Sequence, residues 1–85
     1  MIRRKIQVSV PGGIHMAVAA ALSQTVRRED EHVFLKAGKK MASIREPLNV
    51  LSLGVHRMDW VEIIVDCEKE EESVLEQIEK ILCHK

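Results

Sequence analysis

Of the four histidines, His15, His32, His56 and His84, only His15 stands where an imidazole could do chemistry. It follows Pro11-Gly12-Gly13-Ile14 and precedes a run of strong helix formers. A neutral imidazole is nucleophilic near physiological pH. A residue just ahead of a helix also faces the unpaired amide hydrogens of the first turn, here those of Met16 and Ala17. Those amides and the positive end of the helix dipole favour an anion. The spacing describes a nucleophile beside an anion-binding stretch of backbone. The plain alternative is an exposed loop or N-cap histidine with no role. His32 and His56 fall at the ends of elements and need no function. Cys67, Cys83 and His84 lack the paired Cys-x-x-Cys spacing that makes a zinc site specific, so no metal and no cofactor is expected.

The rest of the composition narrows the partners. Thirteen basic and thirteen acidic side chains cancel. The long-range positive field of nucleic-acid and anionic-membrane binders is missing, and neither partner is expected. Phe34 and Trp60 are the only aromatic residues, so a base-stacking platform or a sugar-stacking cleft has almost nothing to be built from, and neither RNA nor glycan binding is expected. The two cysteines lie far apart, and no secretory signal or long apolar span precedes the domain, which points to a reducing cytoplasm. Eighty-five residues suit a single domain over 1–85 with one modest core, and a monomer is expected.

The chain must hold His15 at the junction of a strand and a helix. Residues 5–10 alternate polar side chains with Ile6, Val8 and Val10, the period of a half-buried strand. Pro11-Gly12-Gly13 ends it. Residues 16–28 carry Met16, Ala19, Ala20, Leu22 and Val26 at helical spacing, followed by the polar link Glu29-Asp30-Glu31. Val33, Phe34 and Leu35 suit a second strand over 32–37, with a turn at Gly38-Lys39-Lys40 and a brief third strand at Met41 and Ala42. Glu46-Pro47 starts a second helix containing Leu48, Val50, Leu51 and Leu53 and ending at Gly54. Residues 60–66 read as a strand with Val61, Ile63 and Val65 facing inward. Glu68 to Glu72 reads as a solvated loop and the first turn of a third helix, whose stripe is Val74, Leu75, Ile78, Ile81 and Leu82. The order βαββαβα predicts an α+β fold: a four-stranded antiparallel sheet with all three helices on one face. The other face is left to solvent, with Gln7, Ser9 and Glu62 on it.

Several short motifs resemble one family, the histidine-containing phosphocarriers (HPr) of the bacterial sugar phosphotransferase system. Gly13-Ile14-His15 is similar to the start of that family's active-site segment Gly-Ile-His-Ala-Arg-Pro-Ala, at the same distance along the chain. Ser52-Leu53-Gly54-Val55 resembles the end of its second helix, and Val33-Phe34-Leu35 with Gly38-Lys39-Lys40 resembles its second strand and turn. The resemblance implies an HPr-like open-faced β-sandwich. It also implies a phosphoryl carrier, not a turnover catalyst, that accepts phosphate on His15 from phospho-Enzyme I and passes it to sugar-specific transporter components. The partners would dock on the face of the first two helices, where Met16, Val18, Leu48 and Leu51 could line an apolar patch.

The match breaks in two places. The family's arginine falls on Ala17 and its proline on Val18, with the pattern resuming at Ala19. An arginine there adds bidentate donors and a fixed positive charge where negative charge develops. Loss of one such donor costs roughly 10²–10³ in rate in other enzymes. Arg57 is the candidate substitute cation, with Arg45 behind it. Many members also carry a serine at the start of the second helix that a kinase phosphorylates; here that position is Glu46. Its carboxylate either imitates part of a phosphoserine's charge or simply starts a helix ahead of Pro47. A gapped alignment would instead give that role to Ser43, before Ile44. These departures leave a second reading open, a non-relaying HPr-like regulatory module that binds a transcription factor or metabolic enzyme.

Overall fold

A computed structural model describes residues 1–27 and 32–83. The link Glu29-Asp30-Glu31, Arg28 and His84 lie outside the described residues. The elements run in the expected order: β1 (Ile2–Gln7), α1 (Met16–Gln24), β2 (His32–Ala37), β3 (Lys40–Ser43), α2 (Pro47–Leu51), β4 (Trp60–Asp66) and α3 (Glu71–Cys83). The strands form one antiparallel sheet in the order β1-β4-β2-β3. Its register sets Ile6 opposite Val61, Ile63 opposite Leu35 and Val65 opposite Val33, all of them buried. The helices cover that face with Val18, Ala19 and Leu22 from α1, Val50 from α2, and Val74, Leu75, Ile78 and Leu82 from α3, closing one core.

β1 starts earlier than the sequence reading, at Ile2, and β3 extends one residue further at each end, while β1, α1 and α2 each stop short for a local reason. β1 ends at Gln7, opposite Trp60, because the partner chain turns away at Met58, whose φ is +77°. Val8 and Val10 lie past the strand yet stay buried. Val8 exchanges backbone hydrogen bonds with the turn instead, its amide donating to Asp59 O (2.8 Å) and its carbonyl accepting from Met58 N (2.6 Å). α1 ends at Gln24 and not at Arg28, since the Thr25 amide and hydroxyl both donate to Leu22 O, at 3.1 and 2.7 Å. Hydroxyls that take up the last carbonyls compete with another turn of helix. α2 is five residues long and excludes Leu53, whose amide donates to Val50 O (3.1 Å) in a tightened final turn.

The uncovered face of the sheet is less polar than expected. Ile64 is buried there beside its cross-strand partner, the half-buried Phe34. Trp60 and Met41 stand on the same face, 63% and 58% exposed. Ser9 does not belong to that face. It follows β1, and its hydroxyl donates to Cys83 O (2.7 Å), while the Ser9 and Val10 amides donate to Leu82 O (3.0 and 2.9 Å). The end of α3 therefore ties down the segment that leads into the His15 loop, and its last carbonyls find partners in doing so.

Candidate functional site

The loop between β1 and α1 is built on two glycines. Gly12 and Gly13 have φ of +81° and +71°, the left-handed region that glycine enters without steric cost. The Gly13 amide donates to Val10 O (3.0 Å), closing a tight turn. A β-carbon on Gly13 would lie 2.8 Å from each of Arg57 N, His56 Cα and Val55 O, so the loop after α2 packs directly on this glycine. Next along, Ile14 is buried, and its amide donates to Val55 O (3.1 Å). These contacts press residues 55–57 against the residue pair that precedes His15.

His15 is the N-cap of α1, with an extended backbone (φ −112°, ψ −177°) and no capping bond from its side chain. Its ring is exposed, and the Cδ2 edge folds back toward Gly12, lying 3.3 Å from where a β-carbon of that residue would be. The His15 carbonyl accepts from Ala19 N at 2.9 Å, the first bond of the helix, so the amides of Met16 and Ala17 precede the first helical pair. Both residues are exposed, and no acidic side chain occupies the first turn. The imidazole and an amide cradle open to solvent are thus adjacent, with no carboxylate of that turn to repel an anion.

Arg57 sits on a hydrogen-bonded turn. The Asp59 carboxylate accepts from His56 N (2.9 Å), Asp59 N donates to His56 O (3.1 Å), and Gln7 Nε2 donates to Met58 O (3.0 Å). The arginine side chain is exposed at the crest of this turn, and its backbone touches Gly13, two residues before His15. Nothing in the sequence marked Gln7 or Asp59 as supports of the site; their roles follow from the meeting of two loops more than forty positions apart. His56 is exposed and 3.7 Å from Asp59 through Nδ1.

The helix face around His15 is apolar in part. Met16 and Leu48 are 52% and 69% exposed, whereas Val18 is buried core and Leu51 is half-buried against it. Val18 thus drops out of any docking patch. Glu46 is the N-cap of α2, with Pro47 as the first helical residue, and its carboxylate accepts from Asn49 Nδ2 (2.7 Å). Ser43 closes β3, and its hydroxyl accepts from Arg45 N (3.3 Å), so the serine lies ahead of the helix start. Among the described residues no three His, Cys, Asp or Glu side chains gather as metal ligands, and no helix is long and apolar enough to cross a membrane.

The family model "PTS HPr component phosphorylation site" matches residues 2–83. The chain belongs to the HPr family, the phosphocarriers of the phosphotransferase system. Solved HPr structures show the same fold. The HPr of Bacillus anthracis superposes with a TM-score of 0.84 at 20% identity, covering 95% of both chains. An HPr from Thermoanaerobacter tengcongensis gives 0.84 at 20% identity over 96% of this chain and 91% of that one. The histidine-containing phosphocarrier of a Mycoplasma gives 0.81 at 14% identity over 94% and 90%. No curated protein matches significantly by sequence. Structural likeness at such low identity shows how an HPr fold tolerates wholesale replacement of side chains while its elements keep their places.

Proposed function

We propose that this HPr-family chain relays phosphate through His15, with the amides of Met16 and Ala17 as the phosphate cradle and Arg57 in place of the arginine missing at position 17. The neutral imidazole attacks the phosphorus of phospho-Enzyme I. A nitrogen–phosphorus bond forms on His15 as the donor's bond breaks, and the same group later leaves to a sugar-specific transporter component. The observation that carries this reading is the exposed, uncapped His15 ring beside a helix start with no first-turn acid. The contact of Gly13 with the Arg57 backbone supports the substitute cation. Fixed positive charge near the phosphoryl oxygens stabilises the transfer step. Cys67 and Cys83 are not joined in a disulfide, which fits a cytoplasmic protein, and we infer a monomer.

The test is incubation with phosphoenolpyruvate and Enzyme I, followed by intact mass at neutral pH. The expected result is one acid-labile phosphate that His15→Ala abolishes. No gain on the folded wild-type protein, with an active control carrier alongside, overturns the relay. One observation favours a second reading, a regulatory module binding a transcription factor or metabolic enzyme: Glu46 places a carboxylate at the start of α2, where many members carry a phosphorylatable serine. Under that reading Glu46→Ser weakens the partner complex and leaves His15 without phosphate.

A further inference from the structure

The uncovered face of the sheet carries a shallow cavity of about 470 Å³ lined by Lys5, Lys36, Gly38, Trp60, Val61 and Glu62. The register explains its chemistry. Glu62 lies opposite Lys5 on β1 and opposite Lys36 on β2, so a lysine flanks the carboxylate on either side. Trp60 stands on the same face two residues earlier, 63% exposed, in a chain with no other tryptophan and no tyrosine. Gly38 has open space where a β-carbon would be, which keeps the far wall low. Arg3, 3.7 Å from Glu62, brings a third positive charge to the same row of side chains.

We propose that this cavity binds a nucleotide, its base stacked on Trp60 and its phosphates held by the ammonium groups of Lys5 and Lys36. An indole is the largest flat surface a side chain offers, and bases of any sequence stack on it. Lysines are point-charge partners for phosphate, and Glu62 can accept from ribose hydroxyls. Charge complementarity favours an anion. The chain is neutral overall, yet Glu71, Glu72, Glu76 and Glu79 lie on α3 while Arg3, Lys5 and Lys36 gather on the opposite face of the sheet against Glu62. A single indole stacks one base, which distinguishes this site from an RNA surface. It shares no residue with the His15 loop, so neither proposal depends on the other.

Because Trp60 is the sole tryptophan, its emission reports on the site directly. The experiment titrates the full chain with ADP, adenosine and inorganic phosphate, following Trp60 fluorescence corrected for absorbance, with calorimetry alongside. The expected result is saturable quenching by ADP, with adenosine and phosphate each at least about tenfold weaker. The double variant Lys5→Gln/Lys36→Gln weakens ADP at least about tenfold by both methods, and Trp60→Leu does so by calorimetry. All three side chains are exposed, and unchanged circular dichroism checks that the variants fold. No saturable response up to about 10 mM ADP overturns the proposal. So does phosphate binding as tightly as ADP, or ADP binding that the lysine variant leaves unchanged.

Discussion

At the scale of the residue, one retained side chain and one missing side chain set the rate expected of this protein. In the proposed relay His15 supplies the nucleophile, and position 17 supplies nothing beyond its amide, because alanine ends at the β-carbon. If the relay runs through His15, Ala17→Arg restores a guanidinium in the first turn and raises the phosphorylation rate by roughly 10²-fold. Arg57→Ala slows the natural chain by roughly tenfold or more, and slows the Ala17→Arg variant much less, since the charge is then supplied twice. A time course of intact mass with Enzyme I measures all four rates; equal effects of Arg57→Ala in both backgrounds would remove Arg57 from the site. His15 and the substitution at 17 were legible in the sequence, because a short motif carries them. Arg57 could be nominated but not placed. Its nearness to the histidine loop depends on Gly13 leaving room for Val55, His56 and Arg57, a contact that no local pattern encodes.

At the scale of the element, the site exists because two loops are locked together, and that lock can be tested without touching a charged group. Gly13→Ala forces a β-carbon into a residue at φ +71° and against three backbone atoms at 2.8 Å, none of which can swing aside like a side chain. We expect it to cost about 3 kcal/mol, the left-handed strain adding to overpacking. Gly54→Ala, where φ is also positive at +66° but open space awaits the β-carbon, costs only the strain, about 1 kcal/mol. Urea denaturation of both variants checks the difference, and equal losses would mean that the 55–57 loop does not rest on Gly13. The strand over 60–66 was legible to the residue, since alternation on a central strand leaves little freedom in its limits. The ends of β1 and α1 were not, because they depend on distant or side-chain partners: the turn at Met58 ends the first, and the Thr25 hydroxyl on Leu22 O ends the second. The burial of Ile64 on the uncovered face was not legible either, because alternation alone cannot show that Phe34 stands beside it across the strands.

At the scale of the whole molecule, the histidine loop is held at both ends by elements remote in sequence, so its order is a property of the entire fold. Leu82 is fully buried in the core, and its carbonyl accepts from Ser9 and Val10, just ahead of the glycine turn. Leu82→Ala removes core volume and leaves those backbone bonds in place. Such a deletion costs about 3 kcal/mol, against a total of roughly 4–13 kcal/mol for a domain of this length. Each kcal/mol lowers the melting temperature by about 4–8 °C at this size, so a drop of about 12–24 °C is expected. The core is continuous from the sheet to all three helices, and the unfolding should therefore be a single transition. Trp60 reports from the uncovered face of β4 and far-ultraviolet circular dichroism from the helices, so coincident midpoints in both wild type and Leu82→Ala are the expected outcome. Separate midpoints would mean that α3 detaches before the sheet melts. In that case the His15 loop would lose its anchor while β4 remained paired, and the rate of phosphorylation would fall at temperatures where Trp60 still reports a folded sheet.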